Sequence, residues 1–227
     1  MATDLEHISI QPPLIGDWKF LRPPGHHPFA FDFIQTDPKR NSSHKLNRLK
    51  FFIGNISSKE FYCWDKQVFS PIDGEIFRIG NGWLDNEYTN IWKTIQLWYN
   101  ATYKFRPKLI NGRLDIRPNA GNYVMIKSSH GYIVFLAHLR NKSIVVTEGQ
   151  KVKRGQPIGS VGNSGNSTEP HLHINIFDQM NDPYTAKVLP FIFNDYETLI
   201  NKDQWLPNTL SIPKVGSFVR FNIKTVN

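Results

Sequence analysis

With 227 residues, 40% of them hydrophobic, and with six Trp and sixteen Phe, this chain can bury a substantial core, which excludes intrinsic disorder. A formal net charge of +8 points to a polyanionic neighbour: nucleic acid, an acidic membrane surface or an anionic cell wall. The single cysteine, Cys63, excludes an internal disulfide and a cysteine-rich zinc site, so any metal must be held by His and carboxylate.

No apolar run of about 18 residues occurs, so no transmembrane helix is expected. Asp4, Glu6 and His7 stand where a secretory leader would be basic and then apolar, and the expectation is a soluble chain with no Sec-type address. Residues 1–25 carry Pro12-Pro13 and Pro23-Pro24 around Trp18 and Phe20, which predicts an extended arm laid over the domain surface. Gly25-His26-His27-Pro28 then leads into a short strand, Ala30 to Ile34, where Asp32 stands among aromatics. An unpaired carboxylate is costly there, so Asp32 calls for a cation, a backbone cap or an Arg partner. His26 and His27 lie close enough to share a metal with it.

Residues 35–67 read as a polar, basic loop (Lys39, Arg40, Lys45, Arg48, Lys50) with a solvent-facing His44, ending in an aromatic stretch where Cys63 is half-buried. The run Val68 to Ile79 contains a Pro-Ile-Asp-Gly turn feeding an alternating strand. Residues 83–118 look like an insertion beside the core, a candidate wall of a substrate groove, with Ile91 to Tyr99 either a short amphipathic helix or a strand.

A hairpin follows. Tyr123 to Lys127 and Tyr132 to His138 flank the turn Ser128-Ser129-His130-Gly131, with His130 in water and His138 closing an almost wholly apolar strand. Val145 to Ile158 reads as two short strands around a glycine turn, and Leu189 to Phe193 as one more strand before a looser tail.

The most informative stretch is Gly159 to Phe177. His171 and His173 sit two apart in an alternating run with Leu172, Ile174 and Ile176, which makes a strand with both imidazoles on one face. Such a pair is either a polar strand surface or a site that holds a metal or moves a proton. No His-Glu-x-x-His occurs, so zinc ligands must come from separate strands rather than one helix.

The order of a His/Asp pair near the start, Ala137-His138-Leu139, and G-x-S-G-x-S-T-x-P-H-L-H over Gly162–His173 resembles the lysostaphin-type (LytM-like) zinc metallopeptidases, over about residues 25–180. The resemblance implies a mainly β fold: an antiparallel sheet or sandwich core with irregular insertions and little helix. It implies one Zn²⁺ per chain held by His27, Asp32 and His173, with His26 as the alternative to His27, and His138 and His171 as the flanking catalytic residues. The family spaces its first His and Asp four apart; here the spacing is five from His27 and six from His26, and the shorter one selects His27. The implied activity is zinc-dependent endopeptidase cleavage of peptides in peptidoglycan cross-links or stems, in the bacterial cytoplasm or cell envelope, to which the basic charge adds an anionic wall as neighbour. The corresponding division is an N-terminal arm over 1–25, a peptidase domain over 26–195 with its insertion at about 83–118, and an extension over 196–227 packed on the domain. The alternatives are a LytM-like scaffold that binds a partner or wall and activates another hydrolase, and a nucleic-acid-binding β protein. The last is disfavoured because the basic residues at 39–50 fall in a loop rather than among strand aromatics.

Overall fold

The computed structural model describes residues 8–37, 42–47, 49–100, 103, 108–110, 113–179 and 185–222. Residues 1–7, with Lys39, Arg40 and Arg48 of the basic stretch, lie outside the described residues. The fold is mainly β. Among the described residues, twelve strands form one large sheet: β1 (Ile8–Ile10), β2 (Gly16–Leu21), β3 (Phe31–Ile34), β4 (Gly74–Gly80), β5 (Asn122–Lys127) and β6 (Ile133–Leu139). They continue with β7 (Lys151–Val152), β8 (Leu172–Phe177), β9 (Val188–Leu189), β10 (Phe191–Asn201), β11 (Gln204–Ser211) and β12 (Phe218–Phe221). The spatial order is β1-β10-β12-β2-β3-β8-β6-β5-β4-β7, with β9 against β8 and β11 against β10. All pairs are antiparallel except β1 with β10.

The expected arm is not laid over the surface. Residues 8–21 supply two strands of the sheet, and Trp18 and Phe20 are fully buried. The reason is local: Gly16-Asp17-Trp18-Lys19-Phe20 alternates apolar and polar residues as a half-buried strand does, and the proline pairs fall outside the strand rather than within it. The looser tail likewise forms the long strands β10 and β11 and then β12, whose Phe193 and Phe221 are fully buried. Phe20, Phe33, Phe193 and Phe221 meet as tilted and edge-on rings with centroids 5.4–6.4 Å apart, so the two ends of the chain together close the main core.

The hairpin forms as expected, with β5 and β6 paired from Lys127↔Ile133 to Asn122↔Leu139. All seven residues of β6 are buried, because both faces of this central strand are covered. Val134 and Leu136 join the main core, while Ile133, Phe135 and Ala137 join a smaller cluster on the opposite face with Tyr123 and Met125. The expected strands around Gly155 are short and pair apart: β7 with β4, and Pro157–Ser160 with Gln67–Phe69. In the stretch read as an insertion, Ile91–Tyr99 is a helix, α1, whose start is capped where Asn90 Oδ1 accepts the Lys93 N–H at 2.8 Å. His44, expected in solvent, is 6% exposed and lies edge-on to the Phe61 ring. His130 is exposed at its turn.

The Gly162–Glu169 loop packs backbone against backbone on the start of β5. A Cβ at Gly121, where φ is +62°, would fall 2.4 Å from the Ser164 carbonyl oxygen; one at Gly165, φ +72°, would fall 2.2 Å from Gly121 N. Gly131 also has positive φ, +92°, but open space around it. Gly131→Ala should therefore cost about 1–2 kcal/mol from backbone strain alone, and Gly121→Ala distinctly more because backbone must also move. Urea midpoints of the two variants, compared with wild type, measure the difference.

Candidate metal centre and flanking histidines

The site lies on the sheet face of the smaller cluster. β3 and β8 pair so that Asp32 is directly opposite His173, and β8 pairs with β6 so that His173 is opposite Ala137. Facing partners in a ladder share a face, which gathers Asp32, Ala137 and His173 on one side while Leu172, Ile174 and Ile176 enter the main core. Asp32, 4% exposed, is the common partner. Its Oδ1 lies 2.9 Å from His173 Nδ1, and its Oδ2 lies 3.5 Å from both His26 Nε2 and His171 Nε2. Burial alone would raise the Asp32 pKa, but the nearby imidazoles of His171, His173 and His26 outweigh it and hold the carboxyl well below the usual carboxylate range.

The structure brings His26, and not His27, to this carboxylate. Gly25 at φ +86° and the Ala30 N–H to His27 O bond of 2.9 Å fold residues 25–30 into turns, so counting positions along an extended strand does not give reach. His27 is exposed, and its Nδ1 accepts the Phe29 N–H at 3.2 Å. His26 is half-buried with its ring 5.2 Å from that of His173, and burial lowers its pKa, opposed in part by Asp32. Ligand atoms of His26, Asp32 and His173 all lie within 4.8 Å of one another.

The donor set suits a metal cation. His173 Nε2 lies 3.0 Å from the Asn175 carboxamide, which holds the ring with Nδ1 turned to Asp32. Nδ1 and the buried Asp32 carboxylate, 2.9 Å apart, are satisfied by an Nδ1 proton, and a cation can take that proton's place between them because both atoms are then ligands. The separations of 2.9 and 3.5 Å bracket the about 3.3 Å expected between ligand atoms in tetrahedral zinc with bonds of about 2.0–2.1 Å. Asn175 was not singled out from sequence, although it continues the period-two face of His171 and His173.

His138 and His171 stand beside the triad, with ring centroids 4.5 Å apart and His138 6.0 Å from His173. Strict alternation with Val134 and Leu136 would send His138 into the main core. Instead β6 has one more residue than β5 between Asn122↔Leu139 and Val124↔Leu136, and His138 takes φ +61°. This bulge re-aims the side chain to the site face. His138 Nδ1 lies 2.9 Å from the Ser164 carbonyl, and His171 Nδ1 lies 2.7 Å from the Glu169 carbonyl and 3.1 Å from Ser167 Oγ. Since carbonyls only accept, both rings carry Nδ1–H and keep an Nε2 lone pair. Burial, followed by the neighbouring His171 and His173, pushes the His138 pKa well below the ordinary histidine value. Glu169 is pushed up by burial, opposed by the hydrogen bond from Ser43 Oγ at 2.5 Å. Cys63 has no exposed surface; its thiol is pushed up to about 12 by burial, and its Sγ donates to Pro170 O at 3.0 Å, just ahead of the histidine strand.

Residues 111–184 match the description of Peptidase family M23. That span includes His138, His171 and His173, and leaves out His26 and Asp32. Two peptidoglycan DD-endopeptidases of Vibrio cholerae are similar: ShyA, 52% identical over 56 residues, and ShyC, 34% identical over 97 residues. The matches cover 25% and 43% of this chain, but only 13% and 17% of those relatives. Among solved structures, the antimicrobial peptidase lysostaphin from Staphylococcus simulans is 19% identical with a TM-score of 0.41, over 75% of this chain and 47% of that one. A zinc-containing peptidase from Vibrio cholerae is 20% identical with a TM-score of 0.40, over 75% of this chain and 37% of that one.

Because burial lowers the His26 and His138 pKa values in the fold, the unfolded chain binds protons first as pH falls below about 6.5. The metal-free protein should therefore lose stability on acidification from that point. Thermal melts across pH should show a shallower loss for His138→Gln than for wild type.

Proposed function

We propose that this chain, whose residues 111–184 match Peptidase family M23, is a zinc-dependent endopeptidase cleaving peptides of peptidoglycan cross-links or stems. The observation that carries the reading is the convergence of His26, Asp32 and His173 ligand atoms within 4.8 Å beside two further histidines. The names of the Vibrio cholerae relatives supply the substrate class, and the net charge of +8 suits an anionic wall.

In this reading His26, Asp32 and His173 hold the metal, and Asn175 fixes the His173 ring by taking its Nε2 proton in a hydrogen bond. A zinc ion bound there supplies Lewis acidity toward the scissile carbonyl and toward water. The chain's own residues handle the protons. His138, neutral at neutral pH and anchored through Nδ1–H, offers Nε2 as the base that takes the proton of the attacking water and returns it to the leaving amine. His171, anchored in the same way, presents its Nε2 lone pair beside the site, where it accepts a hydrogen bond from the attacking water and orients it. Burial that lowers the His26 pKa keeps that ring neutral and available as a ligand at neutral pH.

Zinc content and release of peptides from purified peptidoglycan test the reading together. Wild type should carry about one zinc, lost in His26→Ala and retained in His27→Ala; His138→Ala should keep the metal while hydrolysis falls about 10²-fold or more. Zinc lost from His27→Ala and kept by His26→Ala would reassign the ligand. A wild type without zinc after supplementation, and without hydrolysis, would favour a scaffold that activates another enzyme.

A further inference from the structure

The two flanking histidines owe their anchoring to one loop, and that loop is gripped by a segment outside the family-matched residues. Ser164 O fixes His138, while Ser167 Oγ and Glu169 O fix His171. Within the stretch read as an insertion, Asp85 to Thr89 runs alongside this loop. Asn86 Nδ2 lies 2.9, 3.1 and 3.2 Å from the carbonyls of Asn163, Gly165 and Ser167, and the Asn86 backbone N–H also donates to Asn163 O at 2.9 Å. A carboxamide nitrogen has two hydrogens, so three converging carbonyls saturate it through a shared bond. Asp85 accepts the N–H of Asn163 through Oδ1 and that of Asn141 through Oδ2, both at 2.8 Å, tying the loop to the residues just after β6. Thr89 Oγ1 donates to Thr168 O farther along.

The consequence is directional. The carbonyls of residues 163, 165 and 167 turn to Asn86, and Ser164 O, between them in sequence, is aimed at His138 Nδ1 instead. Removing the carboxamide leaves Asn163 O on the Asn86 backbone N–H but takes the side-chain donor from Gly165 O and Ser167 O, loosening the loop on the C-terminal side of Ser164 and with it the acceptor that selects the His138 tautomer. The contacts of 164–166 with 119–122 hold the loop in place, through Asn122 N to Ser164 Oγ at 2.9 Å and Asn166 N to Asn119 O at 2.9 Å; the second lies in the Gly165–Asn166 peptide plane and acts together with Asn86 on the Gly165 carbonyl.

We propose that Asp85 and Asn86 are positioning residues of the catalytic site: they orient the 163–167 carbonyls so that His138 and His171 are held as Nδ1–H tautomers with Nε2 free for proton transfer. This rests on the proposed peptidase function only for its kinetic consequence. The tautomers themselves are read without turnover.

The test is the two-bond ¹H–¹⁵N side-chain spectrum of the full chain loaded with zinc, for wild type, Asn86→Ala and Asn86→Ser, with melting temperature, zinc content, kcat and KM. Wild type should show Nδ1–H for both rings. Asn86→Ala should melt cooperatively and keep its zinc, yet show mixed His138 tautomers and a kcat lower by about 10²-fold with KM little changed; Asn86→Ser, keeping one donor, should fall between. Wild-type tautomers or wild-type kcat in Asn86→Ala overturn the proposal. So does joint loss of the melting transition and the zinc, since Asn86 would then hold the domain rather than the histidines. Should wild type itself not hydrolyse peptidoglycan, the function fails and the tautomer spectra alone decide the positioning role.

Discussion

A carboxylate with 4% of its surface exposed, in the middle of a sheet, must be compensated by positive charge or by directed donors, and Asp32 is met by three imidazoles. Much of the architecture keeps that compensation in place. β3 is clamped between β2 and β8, so the backbone on either side of Asp32 cannot shift without breaking ladder hydrogen bonds. Phe31 and Phe33, on either side of it in sequence, enter the main core against Phe20, Phe191, Phe193 and Phe221. The strands from both ends of the chain thus serve the site indirectly, by burying the opposite face of the strand that carries it.

The other side of the site depends on backbone rather than side-chain packing. The 162–169 loop reaches the histidines because Gly121 and Gly165 let two backbones approach closer than any Cβ allows, and because Ser164 Oγ bridges Asn122 N and Leu139 O. His138 reaches the site through a bulge and a left-handed residue, strain that surrounding contacts must hold in place. A site built this way separates tasks: the paired strands β3 and β8 place Asp32 and His173, the turns at 25–30 bring His26 beside them, and a tightly held loop anchors His138 and His171.

Features set by local periodicity were legible in the sequence. Two residues per strand repeat puts His171 and His173 on one face, the β5–β6 hairpin follows from two apolar runs around Ser-Ser-His-Gly, and Asp32 stood out as an acid among aromatics. What was hidden depends on geometry that spacing does not encode. The turns at 25–30 put His26 rather than His27 beside Asp32, and a one-residue bulge decides where His138 points. The proline pairs around Trp18 read as punctuation of an arm because the partner strand β12 lies about two hundred positions away. His44 is buried by a bridge to Phe61 inside a stretch whose composition is that of a loop, and the Asn86 grip on the 163–167 carbonyls is likewise long-range.

The central claim is that Asp32 and two histidines, one of them His26, form a metal centre, and its most direct test is an anomalous difference map from a crystal grown with zinc. A metal centre of these residues gives a single strong peak within about 2.0–2.2 Å of His26 Nε2, an Asp32 carboxylate oxygen and His173 Nδ1, with His138 and His171 outside bonding distance. A peak bound by His27, a peak elsewhere, or none at this position with zinc in excess would contradict it.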